Sequence, residues 1–345
     1  MTTSKTPPLA LTMGDPAGIG GEIALQAWRA ARRTAASPFV YLGSAGHLRT
    51  LTGLLGLDIP IREVSAPHQA ITTFAEALPV LPIPTAAEVR PGIPNPANAP
   101  AVIAAIDRAV ALAMDGEVSG IVTNPINKAV LYEHGFRHAG HTEYLADLCG
   151  IATPPVMMLV SEQLRVVPVT IHLALAEAVR SLTTEAIIAC GRVTADGLRT
   201  DFDIPAPRIA VAGLNPHAGE SGHMGREEID IIAPAVEALR SEGIAMIDAA
   251  PADTLFHERA RANYDAVLCM YHDQALIPIK TLDFDGGANV TLGLPIVRAS
   301  PDHGTAFDIA GRGLARPDSL ISSLRLAVKM AATRAAVSAQ TAALA

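Results

Sequence analysis

Three histidines stand where a strand-like run gives way to a turn: His172 in Val169-Thr-Ile-His172-Leu173, His217 in Leu214-Asn-Pro-His217-Ala-Gly219, and His272 in Tyr271-His272-Asp273-Gln274. They are far apart in the chain, so no local ligand spacing joins them. Parallel strands, however, deliver such ends to one edge of a sheet. Three imidazoles gathered there would hold Zn²⁺ or a related divalent ion and leave a position open for substrate. A single histidine in any of these places is more often a core or surface residue, so the metal reading rests on all three together. Asn215 and Asp273 adjoin two of them, where a supporting hydrogen bond could form.

Lys280, Asn289 and Arg298 offer two cations and an amide to an anionic substrate. In a chain with few charges, basic residues within apolar sequence invite a ligand; ion pairing with the many acids is the ordinary alternative. Gly120-Ile-Val-Thr123-Asn-Pro-Ile-Asn-Lys128, followed by Gly140-His141-Thr142-Glu143, crowds polar side chains at a strand's C-terminal end, where open α/β sheets bind ligands. His141 and Thr142 would donate hydrogen bonds to a phosphate or carboxylate, or else serve as a surface histidine and a capping threonine. The run from Asp302 through His303, Gly304, Thr305 and Asp308 to Gly311 reads as a loop opening a helix, able to wrap an adenine-containing cofactor or merely to turn. Leu11-Thr-Met-Gly-Asp15-Pro-Ala-Gly18-Ile-Gly20-Gly21-Glu22 is a strand–turn–helix. It either aims backbone N–H groups at an anion or uses its glycines only to turn tightly.

The elements that would carry these residues follow an α/β rhythm. Short runs at Phe39–Leu42, Gly120–Thr123, Val166–Thr170, Arg208–Ala212 and Ala266–Met270 read as strands, with a first strand from Leu9. Segments of helical spacing at Gly20–Arg33, Pro100–Met114, Thr184–Leu198 and Glu228–Glu242 lie between them. That alternation predicts helices covering a mostly parallel sheet. The proline-rich stretch from Ile59 to Asn98 reads as loops and edge pieces, and Ser322–Ala342 as a terminal helix.

Composition narrows the function classes. A chain of 345 residues, half of them apolar, supports two domains. Charged residues make up only 17%, the net charge is −8 and aromatics are 4%, which disfavours nucleic-acid and membrane-surface binding. No run of about 18 apolar residues predicts a transmembrane helix. The first residues lack the apolar core of a signal peptide, and three scattered cysteines without a CxxC read as free thiols. A cytoplasmic location is expected. GxGxxG, the Walker lysine loop, HExxH and GxSxG are all missing, which disfavours Rossmann dehydrogenases, P-loop enzymes, zincins and α/β-hydrolases.

Taken in order, Gly14-Asp-Pro16, Thr123-Asn-Pro-Ile-Asn-Lys128, Gly140-His-Thr-Glu143, Leu214-Asn-Pro-His-Ala-Gly219, Tyr271-His-Asp-Gln274, Asn289-Val-Thr-Leu-Gly-Leu-Pro295 and His303-Gly-Thr-Ala306 resemble the 4-hydroxythreonine-4-phosphate dehydrogenase family of pyridoxal-phosphate biosynthesis. The resemblance covers nearly the whole chain. Two motifs also echo the related isocitrate and isopropylmalate dehydrogenases, which implies a non-Rossmann, two-domain α/β/α sandwich with a cleft between its domains. Residues 1–128 with 285–345 would form the cofactor-side domain, and 129–284 the domain of metal ligands and dimer interface. By the same resemblance His172, His217 and His272 would bind a divalent metal (Zn, Mg or Co). The site would be shared across a homodimer, with the last histidine from the partner chain. His141, Thr142, Lys280, Asn289 and Arg298 would bind a small phosphorylated amino acid, with Lys280 also catalytic. His303, Gly304, Thr305 and Asp308 would lie along NAD or NADP. Two departures stand out: Gly21 replaces the usual Pro, and Gly286-Gly287-Ala288 replaces Arg-Gly-Val. Alternatives are a sister dehydrogenase acting on threonate or erythronate 4-phosphate and, in another class, a metal-dependent phosphohydrolase.

Overall fold

The computed structural model describes residues 6–32, 37–138 and 140–344. The chain forms two compact units: residues Met1–Pro154 with Leu294–Ala332, and Pro155–Gly293 with Thr333–Ala345. These divisions fall later than the expected 128 and 285. Residues 129–154 stay with the first unit because the Tyr144 hydroxyl hydrogen-bonds Asp107, while Phe136, His138 and Tyr144 stack on one another.

In the first unit the order is β1 (Leu9–Thr12), α1 (Gly20–Ala31), β2 (Phe39–Gly43), α2 (Ala45–Leu54), β3 (Ile61–Glu63), α3 (Ala70–Thr73), β4 (Leu78–Pro82), α4 (Ala99–Met114), β5 (Ile121–Thr123), α5 (Lys128–Glu133) and α6 (His141–Leu148). The second unit holds β6 (Val156–Val160), β7 (Arg165–Pro168), α7 (Leu175–Ser181), α8 (Thr184–Phe202), β8 (Arg208–Ala212), α9 (Ala233–Ser241), β9 (Ala245–Ala250), α10 (Ala252–Leu255), α11 (Glu258–Arg261), β10 (Ala266–Cys269), α12 (His272–Leu282) and β11 (Ala288–Leu292). The chain then returns to the first unit for β12 (Arg298–Pro301) and the start of α13 (Asp318–Leu344). The expected end of α1 at Arg33 lies outside the described residues.

The strands of the first unit run β3-β4-β2-β1-β5-β12, all paired in parallel. The residues of β1, β2 and β5 are buried on both faces, which is why these strands read as near-continuous apolar runs. Helix α4 lays its apolar stripe, including Val102, Ile106 and Val110, against β1, β2 and β5. The helical run Pro96–Met114, which includes α4, is long and apolar enough to suit a membrane span, but half of it is buried within the protein. In the second unit the order is β11-β6-β7-β10-β8-β9; β6 pairs antiparallel with β7 and β11, and the remaining pairs are parallel. Leu159, Val166, Ala210, Val267, Cys269 and Ile279 share its core. Gly191 and Gly197 on α8 let Leu239 and Leu292 seat directly on the helix, since a Cβ there would lie 2.5 Å and 2.8 Å from their methyl carbons. The sequence predicts one helix over Glu228–Glu242. The structure instead opens that stretch with a π-helical turn, Glu228–Ile232, before α9.

Candidate active site

The first cluster belongs to the first unit, where β5 ends at Thr123 and β12 begins at Arg298. Arg298 is buried, and its Nη2 and Nε donate to Thr123 Oγ1 at 2.7 Å and 3.2 Å. Burial pulls its pKa down to about 10, so the guanidinium stays charged at neutral pH. Gly140 leads into α6, whose first residues are His141 and Thr142, both half-buried. His141 Nε2 is closed off from solvent and has no hydrogen-bond partner. Burial, reinforced by the charges of Arg298 and Lys128, drives its pKa down to about 3, so the ring is neutral. Lys128 opens α5, capped by Asn127, whose side chain accepts from the Val130 N–H at 3.1 Å. A Cβ at Gly140 would lie 3.4 Å from Lys128 Nζ, so glycine lets the ammonium close on the turn that presents His141. Asn124 Nδ2 donates to the carbonyls of Thr12 and Gly20 at 3.0 Å and 3.3 Å, while its Oδ1 and Thr12 Oγ1 are buried without a partner. Two cations, an orphaned imidazole nitrogen and a helix N-terminus make a receptor for an anion.

The second cluster, in the same unit, is the loop after β12. Its backbone is fixed from the side of α1: the Ile19 N–H donates to the Thr305 carbonyl at 3.0 Å. The buried Glu22 carboxylate accepts from the N–H groups of Gly311 at 3.0 Å and Ala315 at 3.3 Å. Desolvation raises the Glu22 pKa, and these backbone donors oppose the rise. Gly18 is pressed so close that a Cβ would lie 2.8 Å from the Thr305 oxygen. The glycine-rich turn after β1 therefore serves as the seat of the His303–Gly311 loop. Gly304 and Asp308 remain exposed, and the ring of His303 folds back with Nδ1 3.1 Å from the Gly304 oxygen.

The third cluster belongs to the second unit. Because β7 and β10 pair in parallel, the residues after them run side by side: the Val169 N–H donates to the Cys269 carbonyl at 2.7 Å, and Thr170 Oγ1 to that of Met270 at 2.7 Å. This brings the rings of His172 and His272 to 5.7 Å between centroids, on the wall of a cavity of about 200 Å³ shared with Thr170, Tyr271 and Asp273. His272 Nδ1 contacts Asp273 Oδ1 at 2.7 Å, a second contact of the kind that orients a ligand ring. His172 sits at φ +49°, a left-handed conformation that non-glycine residues adopt mainly where neighbours impose it. His217 lies in a separate left-handed turn after β8. Among the described residues no group of three His, Cys, Asp or Glu is close enough to hold a metal.

The structure thus brings together His141 with Arg298, and His172 with His272, but does not gather His217 with that pair. Lys280 lies on α12 with Nζ 5.2 Å from the Phe284 ring centre, and Asn289 lies on β11 with Oδ1 buried and unpartnered, both in the second unit. Thr123 and Lys128 join the anion receptor without having been assigned individually from sequence. The signal for them was the polar density at the end of β5.

A family model described as pyridoxal phosphate biosynthetic protein PdxA matches residues 34–327. A 4-hydroxythreonine-4-phosphate dehydrogenase of Caulobacter vibrioides is 59% identical over 332 residues, covering 95% of this chain and 98% of that protein. One from Methylorubrum populi is 57% identical, covering 94% of each chain. The crystal structure of a 4-hydroxythreonine-4-phosphate dehydrogenase from Klebsiella pneumoniae superimposes with a TM-score of 0.86 at 39% identity, over 94% of this chain and 99% of that one. With the family model spanning most of the sequence and the fold shared end to end, the chain belongs to the PdxA family of pyridoxal phosphate biosynthetic proteins.

Proposed function

We propose that this chain oxidises 4-phosphooxy-L-threonine at C3 with NAD or NADP and a divalent metal. The product, 2-amino-3-oxo-4-phosphooxybutanoate, then loses CO₂ to give 3-amino-2-oxopropyl phosphate. The observation that carries the reading is the anion receptor formed by buried Arg298 and the unpartnered His141 Nε2, in a chain whose relatives are named for a phosphorylated hydroxy amino acid.

Arg298, fixed by Thr123, and His141, presented at the start of α6, bind and orient the anionic ends of the substrate. The neutral His141 ring donates a hydrogen bond without adding a third cation. Asn289 adds an amide whose oxygen awaits a donor, a role suited to a substrate ammonium or hydroxyl. Lys280 Nζ would take the proton of the C3 hydroxyl, and NAD or NADP, when bound, would supply the hydride acceptor. The resulting β-keto acid breaks its C1–C2 bond, the electron pair moving to the C3 carbonyl, and a proton returns to C2.

The metal fits the donors present: His172 and His272 already converge, and Asp273 supports the latter. These two would hold it with His217, and when bound it would polarise the C3 oxygen. Exposed Leu173 and Leu175, 46% and 60% accessible beside His172, support the reading that a second copy covers this edge and completes the ligand set. The nucleotide would lie along His303, Gly304, Thr305 and Asp308, a segment held from behind by Glu22 and Ile19.

The test is the absorbance of reduced nicotinamide on mixing the protein with 4-phosphooxy-L-threonine, NAD or NADP and a divalent ion. Chelator-treated protein and the two sugar-acid phosphates run in parallel. Metal-dependent reduction, strongest with the amino acid phosphate, is expected. Reduction only with threonate or erythronate 4-phosphate moves the chain to that substrate class. Phosphate release without reduction favours a phosphohydrolase and overturns the proposal.

A further inference from the structure

We infer that Glu228 is a positioning residue that holds the turn carrying His217 in its working conformation. The inference rests on the reading of His217 as a metal ligand. After β8 the chain passes through Asn215-Pro216 into five successive left-handed residues: His217, Ala218, Gly219, Glu220 and Ser221, with φ of +52°, +50°, +79°, +41° and +54°. Four of these carry a Cβ, and each costs about 1 kcal/mol relative to right-handed backbone. Such a turn persists only when its surroundings impose it.

Glu228 is the constraint. Its side chain is only 7% exposed, and it grips both sides of the turn. Oε1 accepts the Asn215 backbone N–H at 2.7 Å, and Oε2 accepts Asn215 Nδ2 at 2.9 Å. The second hydrogen of that amide goes to Glu227 Oε2 at 2.7 Å. Beyond His217, a Cβ on Gly219 would lie 2.7 Å from Glu228 Oε2, so the turn closes against the same carboxylate. A Cβ on Gly213, before the turn, would lie 3.3 Å from Oε1. Glu228 itself opens the π-helical turn Glu228–Ile232.

The donors that reach Glu228 are neutral, and among the described residues no lysine or arginine pairs with it. A buried carboxylate whose charge is left uncompensated is expensive. Two Asn215 donors meet that cost, so the carboxylate is fixed where it closes the turn that carries His217.

The test is titration of the full-length, metal-free protein with Co²⁺ alone, followed by its visible absorption. Wild type, His217→Ala and Glu228→Gln are compared, each first shown to be folded by circular dichroism. Glu228→Gln keeps the shape and removes the charge; the expected result is a 10–100-fold weaker Co²⁺ affinity and altered absorption bands. A merely structural role would lower the melting temperature and leave the Co²⁺ affinity of the folded protein unchanged. Should Glu228→Gln fail to fold, Asn215→Ala, which removes the gripped amide and keeps the carboxylate, is read in the same way. Weaker binding in His217→Ala with wild-type binding in folded Glu228→Gln or Asn215→Ala overturns this inference alone. Wild-type binding in His217→Ala overturns the metal assignment of His217 and the inference with it.

Discussion

Arg298 shows how much one side chain must satisfy at this site. Its guanidinium is buried, charged, and held by two bonds to a single threonine oxygen, which fix its plane. Lysine would keep the charge and lose the fork. Arg298→Lys is therefore expected to raise KM for the phosphorylated substrate at least tenfold, about 1.4 kcal/mol, with a smaller fall in kcat; initial-rate kinetics check it. His47 makes a different claim. Its ring is buried, with Nε2 unpartnered and a hydrogen bond to the Pro16 carbonyl, and burial lowers its pKa from 6.5 to about 4. The unfolded chain takes up a proton below pH 6.5 that the folded ring refuses until about pH 4. The stability due to its neutral form is thus complete above 6.5 and is lost as pH falls through that window. His141 acts in the same direction, down to about pH 3. Thermal melts from pH 7.5 to 4.5 should show falling stability, with a smaller fall in His47→Gln.

At the scale of elements, the turns matter more than the helices they join. The Gly14–Glu22 segment allowed two readings, anion cradle or tight turn. The structure makes it the seat of the loop after β12, through Gly18, Ile19 and Glu22. Removing the Glu22 carboxylate leaves the Gly311 and Ala315 N–H groups without their acceptor, at a cost of roughly 1–3 kcal/mol for each buried group left unsatisfied. Glu22→Ala should lose about 3 kcal/mol in denaturant unfolding and reduce the melting-temperature rise produced by NAD or NADP. Glu22→Gln, which keeps one acceptor oxygen, should lose less. An unchanged nucleotide response in folded Glu22→Ala would separate this loop from cofactor binding. The stretch predicted as one helix over Glu228–Glu242 opens as a π-turn before α9, and its first residue, Glu228, is hydrogen-bonded to Asn215, a contact with another element that helical spacing does not encode.

For the whole molecule, the question is how many chains build one site. One chain brings His172 and His272 together, and no trio of metal-binding side chains forms among the described residues. If the ligand set spans a homodimer, mixing inactive single variants restores one intact site in each suitable heterodimer. His172→Ala, His217→Ala and His272→Ala, refolded together in pairs, should include a pair that regains about a quarter of wild-type activity, as random assortment of two equal pools dictates. Two of the three pairs then recover, and the histidine they share is the one that crosses. No recovery in any verified heterodimer would mean that a single chain supplies the whole set.

The α/β class was legible in the amino-acid sequence, because buried parallel strands must be apolar runs. Ordered motifs such as Gly140-His-Thr-Glu143 and Leu214-Asn-Pro-His-Ala-Gly219 named the family: each sits at a strand end or helix start where few residue types serve. The sequence could not decide which of those residues meet. Strand pairing joined His172 to His272 across a hundred positions, and the reach of a buried guanidinium joined Arg298 to Thr123. The left-handed backbone around His217 and the carboxylate of Glu228 that imposes it were also decided by tertiary structure alone. Local propensity opposes that conformation, and only contacts from distant residues make it the lowest in free energy.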